Sequence, residues 1–493
     1  MNYLEKVAKR GKEVRVGTDW RLTILLLIFL TFTLGLIVRL FILQVVKHEE
    51  YIALASRQYL SYSESDPLRG EVYVLENSKG GLIPIAENRK FWEIYAVPYE
   101  VEDPSSAAGK LAPLFGLDTE GEIELKSRLS KGNDPYEPIE NKITDEIKEA
   151  IDTLDIAGIH SREELYRYYP VPDTTSQITG FLGYHEDGLV GNYGIEGYHE
   201  ELLAGNRGFE DVTGVPRTKD IELDDALYKG VQDGSDIVLT IDSVVQFKVC
   251  KLLEEAVGWS GAEGGTVILL ESATGKVRAM CSAPSFNPNE YYNVDDIRVF
   301  NNPAVFEAYE PGSVFKSITM AAALNEEAVT PDTTYVDEGE LEIADFTIRN
   351  SDGEAHGESS MTKVLTESLN LGAIYAVQQI DKRVFADYVR AFGFGEHTGI
   401  KISGEQAGQI ESIEKRSDIY AATASYGQGI TATPIQLVGA YNALARRGSY
   451  IAPSVVEKYI HEDGFEQYPT KLEERQILTP KAATLLSSML VTV

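Results

Sequence analysis

Cysteine and histidine are scarce in this sequence, which has two Cys and seven His among 493 residues. Two cysteines cannot build a disulfide framework or a four-cysteine zinc site, and neither a His-Glu-x-x-His nor a Cys-x-x-Cys spacing occurs. These absences disfavour a metal enzyme. Cys250 and Cys281 could pair with each other, but free cysteines are so often buried that two buried thiols are favoured.

Basic residues are also few, with 45 Lys and Arg against 77 Asp and Glu and a net charge of −32. Non-specific nucleic-acid binding requires a basic face that displaces phosphate counterions, so the composition argues against a nucleic-acid partner. The apolar fraction of 43% and the charged fraction of 25% are typical of folded proteins. The length predicts two or three domains.

A long apolar run stands near the N-terminus. Residues 22–38 carry no charge, and after Arg39 the run resumes to Val46. Residues 22–46 are therefore predicted to form one membrane-spanning helix, since about 20 helical residues cross a hydrocarbon core. A cleaved signal peptide would have a shorter run and a small-residue cleavage site, and a buried core helix would show polar positions at helical spacing.

Basic residues in the tail before this run set the expected orientation. By the positive-inside rule they predict a cytoplasmic tail at 1–21, with everything after about residue 47 outside the membrane. We therefore expect a single-pass protein of the cytoplasmic membrane, with an extracytoplasmic bulk. The basic residues are Lys6, Lys9, Arg10, Lys12, Arg15 and Arg21.

The rest of the chain divides into two unlike parts. Residues 47–235 mix strand-like runs such as EVYVL with acidic helical stretches, which predicts an elongated mixed α/β domain. From 236 to 493, a strand, a helix and a hairpin with its turn at 273–275 are followed mostly by helices. This order predicts an α+β fold, with an antiparallel sheet flanked by helices.

The pair Ser313 and Lys316 is the first candidate for chemistry. On a helix, positions i and i+3 share one face, so the lysine amine can reach the serine hydroxyl and act as its base. The preceding Pro311 and Gly312 predict that a helix starts at the serine, which would aim backbone N–H groups at a developing oxyanion.

Ser-x-x-Lys alone is a weak signal, because Ser360 to Lys363 and Ser412 to Lys415 also match it. Two features distinguish Ser313. Its Pro-Gly lead-in starts a long apolar helix, and Ser368-Leu369-Asn370 follows downstream. A second Ser-x-Asn at 285–287 lies upstream, so order and context carry the signal rather than the tripeptide.

Taken in order, the segments YEPGSVFK, SLN and SYGQGITATPIQL resemble the penicillin-binding proteins, in particular the membrane-anchored class B transpeptidases. The likeness extends along the chain, and YEPGS, SYGQGITATPIQL and FGFGEHTGI look closest to the division type. Further segments that resemble the family are Arg69-Gly70, RYYP at 167–170, Gly194-Ile195-Glu196, ELLAG, TIDSVVQ at 240–246 and SFNPN at 285–289.

The resemblance implies roles for four residues. Ser313 matches the acylated nucleophile, Lys316 its general base, and Ser368 the serine that relays a proton to the leaving group. Asn370 matches the residue that orients the substrate amide and the lysine. The implied reaction cross-links peptidoglycan stem peptides through an acyl-enzyme that β-lactams trap, without a metal or organic cofactor. A membrane-embedded glycosyltransferase and other wall-synthesis proteins are the implied partners.

The sequence departs from the family pattern in two places. The Asp-Arg pair that follows the family's early Arg-Gly element is missing at 75–80, and no Lys-Thr-Gly follows the SYGQG segment. The second departure predicts that the sequence is C-terminally incomplete. We therefore expect the chain as written to acylate poorly, and a version extended through a Lys-Thr-Gly to acylate.

Other functional classes share parts of this pattern. A β-lactam sensor or β-lactamase-like serine acyl enzyme also has Ser-x-x-Lys and Ser-x-Asn, but the long domain at 47–235 argues against it. A non-catalytic wall-assembly scaffold would suit the missing Lys-Thr-Gly but not the four intact site residues. A bifunctional class A enzyme would need an acidic glycosyltransferase motif, which residues 51–234 lack.

Overall fold

The computed structural model describes residues 20–41, 63–65, 67–76, 80–132, 134–185, 188–206, 208–210, 231–472 and 474–493. The chain forms two compact units. One comprises Met1–Asp66 with Arg207–Val231, and the other Pro67–Asn206 with Gln232–Val493.

The first unit contains a helix where the sequence predicts a membrane span. Helix α1 (Trp20–Phe41) covers most of the apolar run, and β1 (Ser63–Ser65) pairs antiparallel with β8 (Gly208–Glu210). Across the ranges that the structure describes, no helix has both the length and the apolar character needed to cross a membrane. Residues 1–19 and 42–46 of the predicted tail and span lie outside the described residues.

In the second unit, the part up to residue 206 is mixed α/β as predicted, and EVYVL and FWEIYAV form strands. Asp103 and Asp118 cap two of its helices by accepting N–H bonds. The strands are β2 (Val72–Glu76), β3 (Gly81–Ala96), β4 (Glu137–Ile143), β5 (Ile159–Tyr168), β6 (Phe181–His185) and β7 (Gly188–Asn192). The helices are α2 (Pro104–Leu111), α3 (Thr119–Leu129), α4 (Asp145–Thr153), α5 (Pro172–Thr179), α6 (Gly194–Tyr198) and α7 (Glu200–Leu203).

The part from residue 232 is richer in helices. Its strands are β9 (Asp236–Asp242), β10 (Gly265–Glu271), β11 (Lys276–Ala283), β12 (Thr334–Asp337), β13 (Glu340–Ile343), β14 (Phe346–Arg349), β15 (Gly357–Ser360), β16 (Ser449–Tyr450), β17 (Val456–Ile460), β18 (Glu466–Gln467) and β19 (Arg475–Gln476). Its helices are α8 (Ser243–Ser260), α9 (Pro303–Phe306), α10 (Lys316–Asn325), α11 (Met361–Thr366), α12 (Asn370–Gln378), α13 (Lys382–Ala391), α14 (Asp418–Ser425), α15 (Pro434–Ala445) and α16 (Pro480–Leu490).

A seven-stranded sheet joins these two parts of the second unit. Its order is β18-β17-β9-β2-β3-β4, with β5 also paired to β3. Strands β2 and β9 run parallel, and the other pairs are antiparallel. The predicted domain boundary before residue 236 falls at the start of β9, which pairs with β2 on one side and β17 on the other. The two predicted domains therefore share a sheet.

The predicted hairpin with its turn at 273–275 is confirmed. Strands β10 and β11 pair antiparallel from Gly265–Ala283 to Glu271–Lys276, with the turn between them at 272–275. Helix α8 begins after Asp242, whose carboxylate accepts the N–H groups of Val244 and Val245. Within the described residues this hairpin forms a two-stranded sheet of its own, against which α8 packs.

The prediction of two free thiols is wrong, because Cys250 and Cys281 form a disulfide with their Cα atoms 5.4 Å apart. The physical reason is tertiary. One helical turn before Cys250, the Gln246 side chain bonds both the N–H and the carbonyl of Met280, so α8 lies directly against β11. This clamp brings Cys250 on the helix next to Cys281 on the strand, an alignment that no local sequence pattern reveals.

Helix α10 is central to the largest hydrophobic core, as its apolar sequence predicts. Every residue from Lys316 to Leu324 is buried. The surrounding core draws on α12, α13, α15 and α16, with Phe315, Phe385, Phe392 and Phe394 among its fully buried side chains. A helix enclosed on all sides holds its first residues rigidly, which suits a position that carries chemistry.

Candidate active site

Ser313 lies in a single 3₁₀ turn, Gly312–Phe315, that leads directly into α10. The predicted helix is confirmed, although its first turn is tighter than an α-helix. Gly312 has φ +64°, a left-handed conformation that glycine adopts without strain. The serine side chain is exposed, whereas Lys316 at the start of α10 is only 2% exposed.

The loop before the serine is fixed by the SYGQG segment. The N–H of Gly312 donates to the Gly427 carbonyl at 3.0 Å, and Tyr309 exchanges two backbone hydrogen bonds with Ala432. A Cβ atom on Gly427 would lie 2.2 Å from the Gly312 carbonyl oxygen, so only glycine fits there. The SYGQG segment thus holds the loop that carries the candidate nucleophile Ser313, a role that its sequence alone does not reveal.

Lys316 is the hub of the site. Its Nζ donates to Ser313 Oγ at 3.1 Å, to Ser368 Oγ at 3.0 Å and to the Ser368 carbonyl at 2.5 Å. Three residues selected from separate sequence positions therefore meet in one hydrogen-bonded cluster. The amine lies between two hydroxyls, which allows it to take a proton from one and pass a proton to the other.

Burial makes Lys316 a usable base. Loss of solvation lowers the pKa of its ammonium from 10.5 to about 8. A pKa of about 8 leaves roughly a tenth of the lysines neutral at pH 7, against less than a thousandth for an ordinary lysine. The site therefore holds a lysine that can accept a proton near neutral pH.

Ser368 and Asn370 belong to the turn that starts α12. Ser368 has φ +55°, which is uncommon for a residue other than glycine. Asn370 is the first residue of α12, and its side-chain amide nitrogen donates to the Arg349 carbonyl at 2.9 Å. The cluster thus unites Ser313, Lys316 and Ser368, and the orienting role of Asn370 stays a prediction.

The two other Ser-x-x-Lys matches are structural. Ser360 caps α11 by accepting the Lys363 N–H, and the Lys363 side chain donates to the His356 carbonyl. Ser412 donates to the Gly429 carbonyl at 2.6 Å. Throughout the described ranges, no group of three or more His, Cys, Asp or Glu side chains is placed to hold a metal ion.

Several supporting residues escape sequence reasoning. Glu310 accepts the Gly429 N–H through its carboxylate, which ties the serine loop to the SYGQG segment. Asp337 and Asn350 are buried polar residues beside the turn that carries Ser368. Their sequence neighbourhood contains only short strands and charged loops, so no periodic pattern singles them out.

Two family models match the chain. The penicillin-binding protein transpeptidase domain matches residues 265–493, and the penicillin-binding protein dimerisation domain matches residues 64–239. Stage V sporulation protein D of Bacillus subtilis is 30% identical over 426 residues, which cover 86% of this chain and 64% of that relative. Peptidoglycan D,D-transpeptidase FtsI of Escherichia coli is 27% identical over 467 residues, covering 91% and 74% respectively. The chain thus spans less than two thirds of the Bacillus relative.

Solved structures show the same fold. Penicillin-binding protein 3 from Mycobacterium tuberculosis, complexed with aztreonam, superposes with a TM-score of 0.61 at 22% identity over 86% of this chain and 75% of that one. Penicillin-binding protein 2X from Streptococcus thermophilus gives a TM-score of 0.69 at 21% identity over 88% and 66%. The predicted pairing of a dimerisation-type domain with a transpeptidase domain is confirmed, and the chain belongs to the class B penicillin-binding proteins that its sequence resembles.

Proposed function

We propose that this chain carries the site of a serine-type peptidoglycan D,D-transpeptidase that is also acylated by β-lactams. The observation that carries the proposal is the buried Lys316 amine, 3.1 Å from Ser313 Oγ and 3.0 Å from Ser368 Oγ. A neutral amine in this position can take the proton of the attacking serine hydroxyl and supply a proton to the second hydroxyl.

The proposed reaction has two steps. Ser313 Oγ attacks the carbonyl carbon of the penultimate D-Ala of a stem peptide, and Lys316 accepts the hydroxyl proton. The peptide C–N bond then breaks, Ser368 passes its proton to the departing nitrogen of the terminal D-Ala, and Lys316 gives the proton it holds to Ser368. In the second step, an amine of a neighbouring stem attacks the Ser313 ester, the bond from the carbonyl carbon to Ser313 Oγ breaks as the cross-link amide forms, and the proton that the amine loses restores the Ser313 hydroxyl.

Backbone geometry supports this order of events. The exposed Ser313 hydroxyl precedes α10, so its own N–H is free of the α-helical hydrogen-bond ladder and would form one half of an oxyanion hole. Lys316 is buried beneath Ser313, and its amine donates hydrogen bonds to both the hydroxyl and the carbonyl of Ser368. The substrate would therefore approach from the open side of Ser313.

We further propose a location and a pathway. The charge-free residues 22–38 and the basic tail before them support a single membrane anchor with the bulk of the protein outside the cytoplasm. The division-type sequence supports cross-linking during septal wall synthesis, with a membrane-embedded glycosyltransferase as the partner that supplies glycan.

The test is to locate the acyl group. The chain is incubated with a fluorescent penicillin for several hours, and labelled peptides are then sequenced by mass spectrometry. The adduct is expected on the peptide that contains Ser313. An adduct on Ser360 or Ser412, or none at saturating penicillin, would refute the proposal, and the second result would favour the non-catalytic scaffold.

The pH dependence of acylation is a second prediction. Since the pKa of Lys316 is lowered to about 8, the neutral base becomes more abundant as the pH rises, and the rate should climb about tenfold per pH unit below that value and level off above it. The rate of fluorescent-penicillin labelling is measured at fixed times between pH 6 and 9.5 and corrected for β-lactam hydrolysis in buffer, which gives the pH dependence of acylation. A rate that is flat across pH 7 to 9, or that falls over this range, would contradict a neutral Lys316 as the base.

A further inference from the structure

Asp337 is a buried carboxylate close to the turn that carries Ser368. It ends β12 and is only 1% exposed. Its oxygens accept the Tyr335 hydroxyl at 2.6 Å, the Gly339 N–H at 2.9 Å and the Asn350 amide nitrogen at 2.9 and 3.0 Å; that nitrogen also donates to the Glu354 carbonyl at 3.2 Å. A buried carboxylate with this many donors is rigidly oriented, and it orients its donors in turn.

Asn350 connects this carboxylate to helix α12. It follows β14, is 5% exposed, and accepts the Leu371 N–H through its other amide atom, Oδ1, at 3.3 Å. The residue at the N-cap of α12 is Leu369, whose side chain has no acceptor. Asn350 therefore supplies from a distant loop the cap that the local sequence lacks.

The same loop holds the first residue of α12. The carbonyl of Arg349 accepts a hydrogen bond from the Asn370 side-chain amide at 2.9 Å. The neighbouring residues 349 and 350 therefore bind residues 370 and 371, the first two residues of α12. Tyr335 completes the contact, because its ring stacks on Tyr375 at 5.4 Å. Gly372 allows this close packing, since a Cβ there would lie 2.1 Å from Val364 Cγ2 and 2.9 Å from the Tyr335 hydroxyl.

A turn tied in this way can hold Ser368 in an unfavourable conformation. A left-handed backbone is unfavourable for a non-glycine residue, and the surrounding contacts must offset its cost. The conformation at φ +55° aims both the carbonyl and the hydroxyl of Ser368 at Lys316 Nζ. If the start of α12 were released, Ser368 would relax and leave the lysine.

We propose that Asp337 and Asn350 are positioning residues for the acyl-transfer site, which hold the Ser368-Leu369-Asn370 turn against Lys316 without touching substrate. This role rests on the proposed function. Tyr335 fixes the carboxylate, the carboxylate fixes the Asn350 amide, and that amide fixes the first turn of α12.

The test compares two capping asparagines. In Asn350→Ala, the acylation rate constant should fall by about 30- to 100-fold, since a misplacement of about 1 Å has an effect of this order. Non-covalent β-lactam affinity before acylation should stay within about 3-fold, because no substrate contact is lost. The control, Asn287→Ala, removes the cap of the 3₁₀ helix Pro288–Asn293 and should leave both constants near those of the parent.

A structural readout accompanies the kinetics. Hydrogen exchange of the Leu371 amide should accelerate in Asn350→Ala and not in Asn287→Ala. Should Asn350→Ala fail to fold, Tyr335→Phe serves in its place, because it removes only the hydroxyl that donates to the Asp337 carboxylate. This variant should lower the acylation rate constant about 5-fold and leave the non-covalent β-lactam affinity unchanged.

The outcomes separate the two proposals. A parent that never labels at Ser313 refutes the proposed function and this role together. A parent that labels, with Asn350→Ala or its substitute labelling equally fast, overturns the positioning role alone. Equal losses in the two asparagine variants would also overturn it, because they would indicate general destabilisation.

Discussion

Replacing Lys316 by methionine is expected to lower the rate of Ser313 acylation by about 10³-fold, within the range of 10² to 10⁴ that general bases contribute. Methionine matches the length of the buried lysine stem but cannot take the serine proton or hold Ser368. Burying the Lys316 ammonium group removes it from water, which is unfavourable, and methionine carries no such charge. The melting temperature of the variant should therefore equal or exceed that of the parent. Fluorescent-penicillin labelling over hours and thermal unfolding measure the two effects.

The matched control for this experiment is Lys363→Met, which alters the second Ser-x-x-Lys pair. The Lys363 side chain donates to the His356 carbonyl, and its partner Ser360 serves as a helix cap. Its labelling rate should therefore stay within about 3-fold of the parent, as for most changes away from a site. If Lys316→Met labelled as fast as Lys363→Met, another group would have to be the base.

The contrast between these two pairs shows what the sequence can and cannot predict. As sequence patterns, all three Ser-x-x-Lys matches are equivalent, and only context selected Ser313; in the structure Lys415 follows the 3₁₀ helix Glu411–Glu414 in an extended conformation. Local periodicity also predicted α10 and the hairpin of β10 and β11, because each depends on residues close in the chain.

Features that depend on distant residues could not be predicted in this way. The disulfide forms because Gln246 fixes α8 on β11, and the shared sheet forms because β9 pairs with β2 across more than 150 residues. Likewise, Asn350 caps a helix that begins 20 residues later in the chain. Propensity and spacing do not encode such pairings, since tertiary packing decides them.

Another buried site joins three segments that resemble the family but contain none of the four candidate catalytic residues. The carboxylate of Glu196 is fully buried and binds Arg69 at 2.6 Å and Arg167 at 2.7 Å, with arginine side chains 10% and 4% exposed. Arg69 also binds Glu200 at 2.6 Å. Burial alone would raise the pKa of Glu196, but the two guanidinium groups hold it below its ordinary value. The Arg-Gly, RYYP and Gly-Ile-Glu segments thus form one ionic cluster.

Glu196→Ala is expected to destabilise the protein by about 3 to 5 kcal/mol at pH 7, because it leaves two buried guanidinium groups without their shared carboxylate. Since the folded pKa is lowered, the carboxylate stabilises the fold above the unfolded pKa and loses this effect as the pH falls through the folded pKa. The difference between parent and variant in urea unfolding should therefore shrink in acid. Glu163→Ala, which removes the exposed partner of Lys90, should change stability by less than about 1 kcal/mol. Equal effects of the two substitutions would show that the buried cluster contributes no more than a surface ion pair.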